Sequence, residues 1–251
     1  QNHTMKKKAF IFYGGWEGHE PELESARFKR WLEEDGYEVD RVDCFDKTFD
    51  LDYMKSMDLI VPCWTQGDIP DPAAFTISEA VEAGTGLAGC HGGMCDSFRW
   101  NVEWQFMTGS QWVSHPGDQL LHHISYLTEE NLAYVAKNYP RNNDPDAFQR
   151  DQKIEFVRNS SSPITEGLED FMVHTEQYYL HLDPCVNVLA TTAVDSQGAH
   201  RANGVVNMPV IYTKLWGKGR IFYSSLGHKD YILEIPQVET FMRRGFRWAS
   251  R

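Results

Sequence analysis

No stretch of this 251-residue chain approaches the roughly 18 consecutive apolar residues of a membrane-spanning helix. Positive charge is scarce. The 24 Lys and Arg face 36 Asp and Glu, a formal net charge of -12. A surface that negative repels phosphate backbones and anionic lipid, which excludes generic nucleic-acid binding and docking on a membrane surface. Cysteine is sparse too: Cys44, Cys63, Cys90, Cys95 and Cys185 are odd in number, scattered, and form no C-x-x-C pair. A disulfide framework is therefore not expected, and reduced cytoplasmic thiols are. The sequence has no H-E-x-x-H, no Walker Lys-Ser/Thr, no repeat and no low-complexity segment. Gly14-Gly15-Trp16-Glu17-Gly18-His19 is glycine-rich, but it lacks the spacing of a dinucleotide fingerprint, and Glu17 would repel a phosphate. Gln1 to Met5 has no apolar signal core and reads as a remnant ahead of a start at Met5, with an earlier-removed signal peptide left open.

What is present is aromatic and patterned. The hydrophobic fraction of 41% is that of a globular protein, and 251 residues suffice for one large α/β domain or two small ones. Ala9 to Tyr13, stopped by Gly14-Gly15, predicts a short buried strand. Residues 21–35 predict a helix, with Leu23, Ala26, Phe28, Trp31 and Leu32 at near-helical spacing and Gly36 closing it. Strands are predicted at 37–42, 58–64 and 86–90, with a helix at 71–83 that has Pro72 in its first turn. This order implies an α/β fold, an open parallel sheet with helices on both faces. Residues 98–155 read as an insertion within a single domain spanning 6–251, with a polar loop or short helix at 141–150 and a strand at 154–157. Further β-rich runs lie at 171–182 and 186–192. Those at 209–213 and 220–225 flank Gly217-Lys218-Gly219 and predict a C-terminal β-hairpin, followed by an amphipathic helix at 236–248.

The segment Gly86-Leu87-Ala88-Gly89-Cys90-His91-Gly92-Gly93 carries the strongest chemical signal. It looks like a buried strand turning sharply at the carboxyl edge of a parallel sheet, where ligands of open α/β sheets bind. The small-x-nucleophile-x-small pattern of an elbow fits in two frames, with Cys90 at the tip in one and His91 in the other. A thiolate at a helix N-terminus would be activated; otherwise Cys90 is a small core residue and His91 a pocket wall. His19, His115, His174, His181 and His228 also fall beside expected strand ends. Imidazoles there can move protons near neutral pH or hold a transition metal. If residues 174–178 are extended, His174, Glu176 and Tyr178 share one face, and Glu176 can orient an imidazole or act as acid or base. His3, His122, His123 and His200 read as surface or structural.

Four stretches together resemble the trehalose-utilisation (ThuA-like) family of the class I glutamine-amidotransferase-like, flavodoxin-like superfamily. They are Gly14-Gly15-x-x-Gly18-His19; Gly86 to Gly93; Ser114-His115-Pro116; and Gly217 to His228, followed by Arg247-Trp248-Ala249. The resemblance implies a Rossmann-like sheet without amidotransferase activity, a histidine at the elbow, and a place in bacterial disaccharide and keto-sugar catabolism. The expectation is a cytoplasmic protein that binds or transforms a sugar or keto-sugar. His91, Glu176 and His228 would be catalytic, and Trp16, His19, Trp112, His115 and Tyr178 would contact substrate. His91, His115 and His228 are candidate ligands for a divalent metal, zinc or manganese. Two alternatives stay open: a non-catalytic carbohydrate-binding or regulatory protein, and a hydrolase using Cys90. A homo-oligomer is expected, through the Trp-rich middle segment and the closing helix.

Overall fold

Strand β1 (Lys7–Gly15) keeps Ala9, Phe10, Ile11 and Phe12 wholly out of solvent. Four consecutive buried residues mean cover on both faces, as in the middle of a parallel sheet. The computed structural model describes residues 5–116, 119–128, 158–159 and 162–251. Their chain forms two units. One runs through Thr108 and resumes over Leu215–Arg251; the other is Gly109–Lys214. The remnant expected at the N-terminus is, for residues 1–4, outside the described residues, as are the loop at 141–150 and the strand at 154–157.

In the first unit β1 is followed by α1 (Pro21–Glu34) and β2 (Tyr37–Val42). Phe28, Trp31 and Leu32 set the buried face of α1, and the helical period extends it back to Glu24, Ser25 and Pro21. Leu23 and Ala26, expected inward, lie off that face and are exposed. The price of the correct periodicity is a carboxyl group in the core. The short helix α2 (Leu51–Ser56) was not foreseen; the Asp50 carboxylate caps it by accepting the Tyr53 N–H at 3.0 Å. β3 (Leu59–Thr65), α3 (Asp71–Ala83), β4 (Gly86–Cys90), α4 (Gly92–Cys95) and α5 (Val102–Thr108) follow. α3 and β4 have the bounds that the sequence predicts.

The second unit holds β5 (Ser110–Ser114), β6 (Leu120–Tyr126), β7 (Arg158–Asn159), β8 (Phe171–Thr175), β9 (Tyr179–Leu182), β10 (Asn187–Val194) and most of β11 (Val206–Trp216). Its ladder runs β11-β10-β6-β8, each pair antiparallel, with β7 parallel to β10, and β5 pairs with β9 antiparallel. Strand β6 escapes a hydrophobic-pattern reading because one of its inward residues is His122, ahead of Ile124 and Tyr126.

Gly217-Lys218 then turns the chain out of β11 into β12 (Gly219–Ser224), and α6 (Pro236–Ala249) closes it. The sheet of the first unit has the order β2-β1-β3-β4-β12, all parallel. Counted within that unit this is 2-1-3-4-5, the flavodoxin-like order, and the α/β fold is the expected one. The helices supply two layers. α1 and α6 meet where the Phe28 and Phe246 rings lie 5.3 Å apart. α2 and α3 neighbour each other, with Tyr53 edge-on to Phe10 of β1 at 6.1 Å. Among the described residues no helix is long and apolar enough to cross a membrane.

Candidate functional site

Four parallel strands of the first unit end at one edge, and their last residues or following loops bring together His19, Thr65, His91 and His228. β4 ends at the buried Cys90, and the next residue, His91, has φ 50° and ψ -139° before α4 begins. That left-handed φ is strained for a residue with a side chain and marks the tip of the elbow. The backbone thus adopts the frame Gly89-Cys90-His91-Gly92-Gly93. Three backbone contacts hold the tip. His91 N–H donates to Ser224 O at 2.7 Å, Tyr223 Oη–H to His91 O at 3.0 Å, and Cys95 N–H to His91 O at 3.3 Å.

The His91 Nδ1 lies 2.9 Å from the Ser225 carbonyl oxygen. A carbonyl only accepts, so Nδ1 carries the proton and Nε2 holds the lone pair of the neutral ring. His19 sits in the short turn after β1, with Nδ1 2.8 Å from Thr65 Oγ1. Its ring packs so closely on Gly92 that a Cβ there would stand 2.6 Å from His19 Cε1. His228 follows β12, and its loop is stitched to the loop of His19. Lys229 Nζ donates to Gly18 O at 2.6 Å, and Arg27 grips Asp230 with two bonds of 2.8 and 2.9 Å.

The result is a triangle of buried imidazoles. Ring centroids are 4.5 Å apart for His19 and His91, and 5.2 Å from each of these to His228. One ring nitrogen from each lies within 4.8 Å of the others. Trp16, half exposed, stands edge-on to His19 at 4.7 Å. Three buried imidazoles converging on one point can bind a transition metal or relay a proton, with the Ser225 carbonyl fixing the tautomer of one.

Behind the triangle lie two groups of opposite character to an activated nucleophile. Burial pushes the Cys90 thiol well above its ordinary range, and the neighbouring Glu24 adds to that. Burial likewise raises the Glu24 carboxyl well above the carboxylate range, with Asp230 and Glu20 reinforcing it. A thiol held protonated in this way opposes the reading of Cys90 as nucleophile.

In the second unit His115 Nε2 lies 3.7 Å from Glu176 Oε2. Trp112 stands 5.8 Å from the His115 ring and 6.2 Å from that of Tyr178. Glu176 and Tyr178 are buried, but His174 is exposed. The expected shared face of His174, Glu176 and Tyr178 does not form, because β8 stops at Thr175 and the next three residues leave the ladder. His181 is also exposed, whereas His200 is buried and bonds Asp195 O at 2.5 Å, a structural role. Sequence reasoning missed Thr65, Ser225 and Glu24. Only Glu24 left a signal, since it stands one turn before Phe28 on the apolar stripe.

A family model described as trehalose utilisation (ThuA) matches residues 8–249. Among solved structures the chain is similar to a ThuA-like protein from Bacteroides uniformis ATCC 8492. The identity is 18% and the TM-score 0.67, over 99% of this chain and 94% of that one. A ThuA-like protein from Parabacteroides merdae ATCC 43184 is similar at 17% identity and TM-score 0.67, over 98% and 90%. A cytoplasmic protein from Salmonella typhimurium LT2 is similar at 12% identity and TM-score 0.62, over 97% and 100%. At such identities the solved structures show the fold alone. No curated protein matches the chain.

Proposed function

The chain belongs to the trehalose-utilisation (ThuA) family, and from that premise we propose that it transforms a sugar or keto-sugar at the histidine triangle. The observation that carries this reading is the convergence of His19, His91 and His228, buried, at the carboxyl edge of the parallel sheet. Proton transfer at a sugar carbon or hydroxyl needs a group that titrates near neutral pH, and imidazole is that group. His91, whose Nε2 bears the lone pair, is the base, and His228 the partner that returns the proton. His19 and Trp16 contact the sugar, the indole offering its face to the ring's C–H groups. In the second unit Glu176 beside His115 is assigned acid–base work, with Trp112 and Tyr178 as contact surface.

A divalent ion, zinc or manganese, is part of the proposal. The donor set fits it: three imidazoles, one with its tautomer set by a carbonyl, as is usual behind metal-bound histidines. His19, His91 and His228 would hold the ion, which would supply Lewis-acid polarisation of a keto oxygen; with its one lone pair on the ion His91 is then a ligand and not the base, so the two roles are alternatives. We assign the protein to the bacterial cytoplasm; five cysteines with no disulfide between them suit a reducing compartment.

The test is elemental mass spectrometry on the purified protein, with keto-disaccharide turnover alongside. About one equivalent of zinc or manganese, lost in both His91→Ala and His228→Ala together with turnover, supports the reading in which these histidines are metal ligands. Metal-free protein with turnover that still depends on His91 retains the acid–base assignment and removes the ion. Turnover unchanged in His91→Ala and Glu176→Ala refutes the catalytic assignment.

A further inference from the structure

Helix α5 is apolar on two sides, and its own unit covers one of them. Trp104 and Met107 are buried, Trp104 donating its Nε1–H to Met94 O at 2.9 Å. Val102 and Phe106, four residues apart and so on one face, are 62% and 55% exposed, and Trp100 just ahead of the helix is 90% exposed. Phe75 of the neighbouring α3 is 57% exposed and extends the same surface. It stands between two cross-links that bring α3 and α5 together. Asn101 Nδ2–H donates to Asp71 Oδ1 at 3.2 Å, and Ser78 Oγ–H to Glu103 Oε1 at 2.6 Å. Asp71, Phe75 and Ser78 are spaced by four and three residues, one stripe of α3.

This surface is built, not frayed. Asn101 Oδ1 caps α5 by accepting the Trp104 N–H at 2.9 Å, and Trp216 Nε1–H donates to Ser78 Oγ at 3.0 Å from behind. An apolar face on the side of α5 away from its own core is one that a partner would cover. With about 150–250 Å² per aromatic side chain, the four residues bare roughly 500 Å² of apolar area. That is at the top of what a lone monomer exposes without a partner.

We propose that the face formed by Phe75, Trp100, Val102 and Phe106 is the contact between two copies of this chain about a two-fold axis. The proposal is independent of the catalytic reading. Area argues for it: roughly 500 Å² of apolar core with a polar rim reaches the ~800 Å² per partner of a stable interface. Charge argues for it too. Two copies each carrying -12 repel at long range, so a lasting contact needs an uncharged centre, and the four residues supply one. The rim bears both signs, with Arg99 beside Trp100 and exposed Asp71 and Glu79 on α3. A two-fold contact repeats each pairing twice, so the same patch offers both partners.

The experiment is sedimentation velocity over about 1–100 µM. Expected is a wild-type species of twice the 29.0 kDa chain mass. Trp100→Glu should weaken self-association by at least about 30-fold, the loss of one hot-spot side chain. Phe106→Glu should do the same, and it stands in if the first variant folds poorly by circular dichroism. Leu121→Glu, on the exposed side of β6, should leave the dimer intact. A wild-type protein at 29.0 kDa throughout, or an oligomer that survives both α5-face variants, overturns the proposal.

Discussion

Replacing Glu24 with Gln should stabilise this protein, and more at alkaline pH than at acid pH. Glu24 is 4% exposed, and its Oε1 has no hydrogen-bond partner among the described residues. Burial, followed by the charges of Asp230 and Glu20, raises its pKa; Arg27 and Lys229 oppose the shift without cancelling it. A carboxyl whose folded pKa is raised holds its proton longer in the native state than in the unfolded chain. Its contribution is therefore complete below the unfolded value near 4.5 and is lost as pH rises through the folded value. Glutamine has the same shape and nothing to ionise. Near pH 4.5 the two proteins should melt together, since Glu24 is then neutral in the native state. At about pH 8 the variant escapes what the carboxyl alone bears, either forgoing in the core the ionisation that the unfolded chain gains or holding an unpaired charge there, a cost of at least the roughly 1–3 kcal/mol of a buried unsatisfied group. At 2–4 °C per kcal/mol for a chain of this size, about 1–3 kcal/mol is a rise in Tm of about 2–12 °C. Thermal melts at three pH values decide it. A variant more destabilised at alkaline pH would show that the carboxylate is ionised and held by Arg27 or Lys229, and one equally destabilised at every pH would show that the glutamine amide does not fit the site; in either case the reasoning fails.

Gly92→Ala places a methyl 2.6 Å from His19 Cε1. It should turn that ring aside and cut metal retention by at least about 10-fold, read by elemental analysis; unchanged retention would remove His19 from the ligand set. Cys90 in the folded protein should resist iodoacetamide at neutral pH while exposed Cys185 reacts, and Cys90→Ser should keep its turnover. Mass mapping of alkylated peptides checks the first, and rapid labelling of Cys90 would revive the thiol hydrolase. Phe246→Ala empties a core site against Phe28 and should cost about 3–5 kcal/mol by urea titration. A loss below about 1 kcal/mol would mean that α1 and α6 close the gap.

The elbow was legible because it is local. A run of small apolar residues ending in glycines leaves few conformations, but it left Cys90 and His91 both open as the tip, and the backbone at His91 decided between them. The stripe of α1 was half legible: Phe28, Trp31 and Leu32 are plain, but Leu23 and Ala26 mislead because hydrophobicity was counted without the strict period. Strand β6 stayed hidden behind the inward His122. The joint face of His174, Glu176 and Tyr178 failed at the end of β8, which depends on where its partner β6 begins at Leu120.

From the sequence alone came the α/β class, the bounds of α3 and β4, the elbow, the missing excess of positive charge and the family. Each rests on local pattern or composition, which the chain carries without folding. That His19, His91 and His228 meet was decided only by the tertiary structure. They lie more than seventy residues apart in each interval of the chain except through the parallel pairing of β1, β3, β4 and β12, which aligns the carboxyl ends of strands distant in sequence. The exposure of Trp100 and the burial of Glu24 were decided there as well. Both depend on which side of a helix its neighbours cover, and no single residue encodes that.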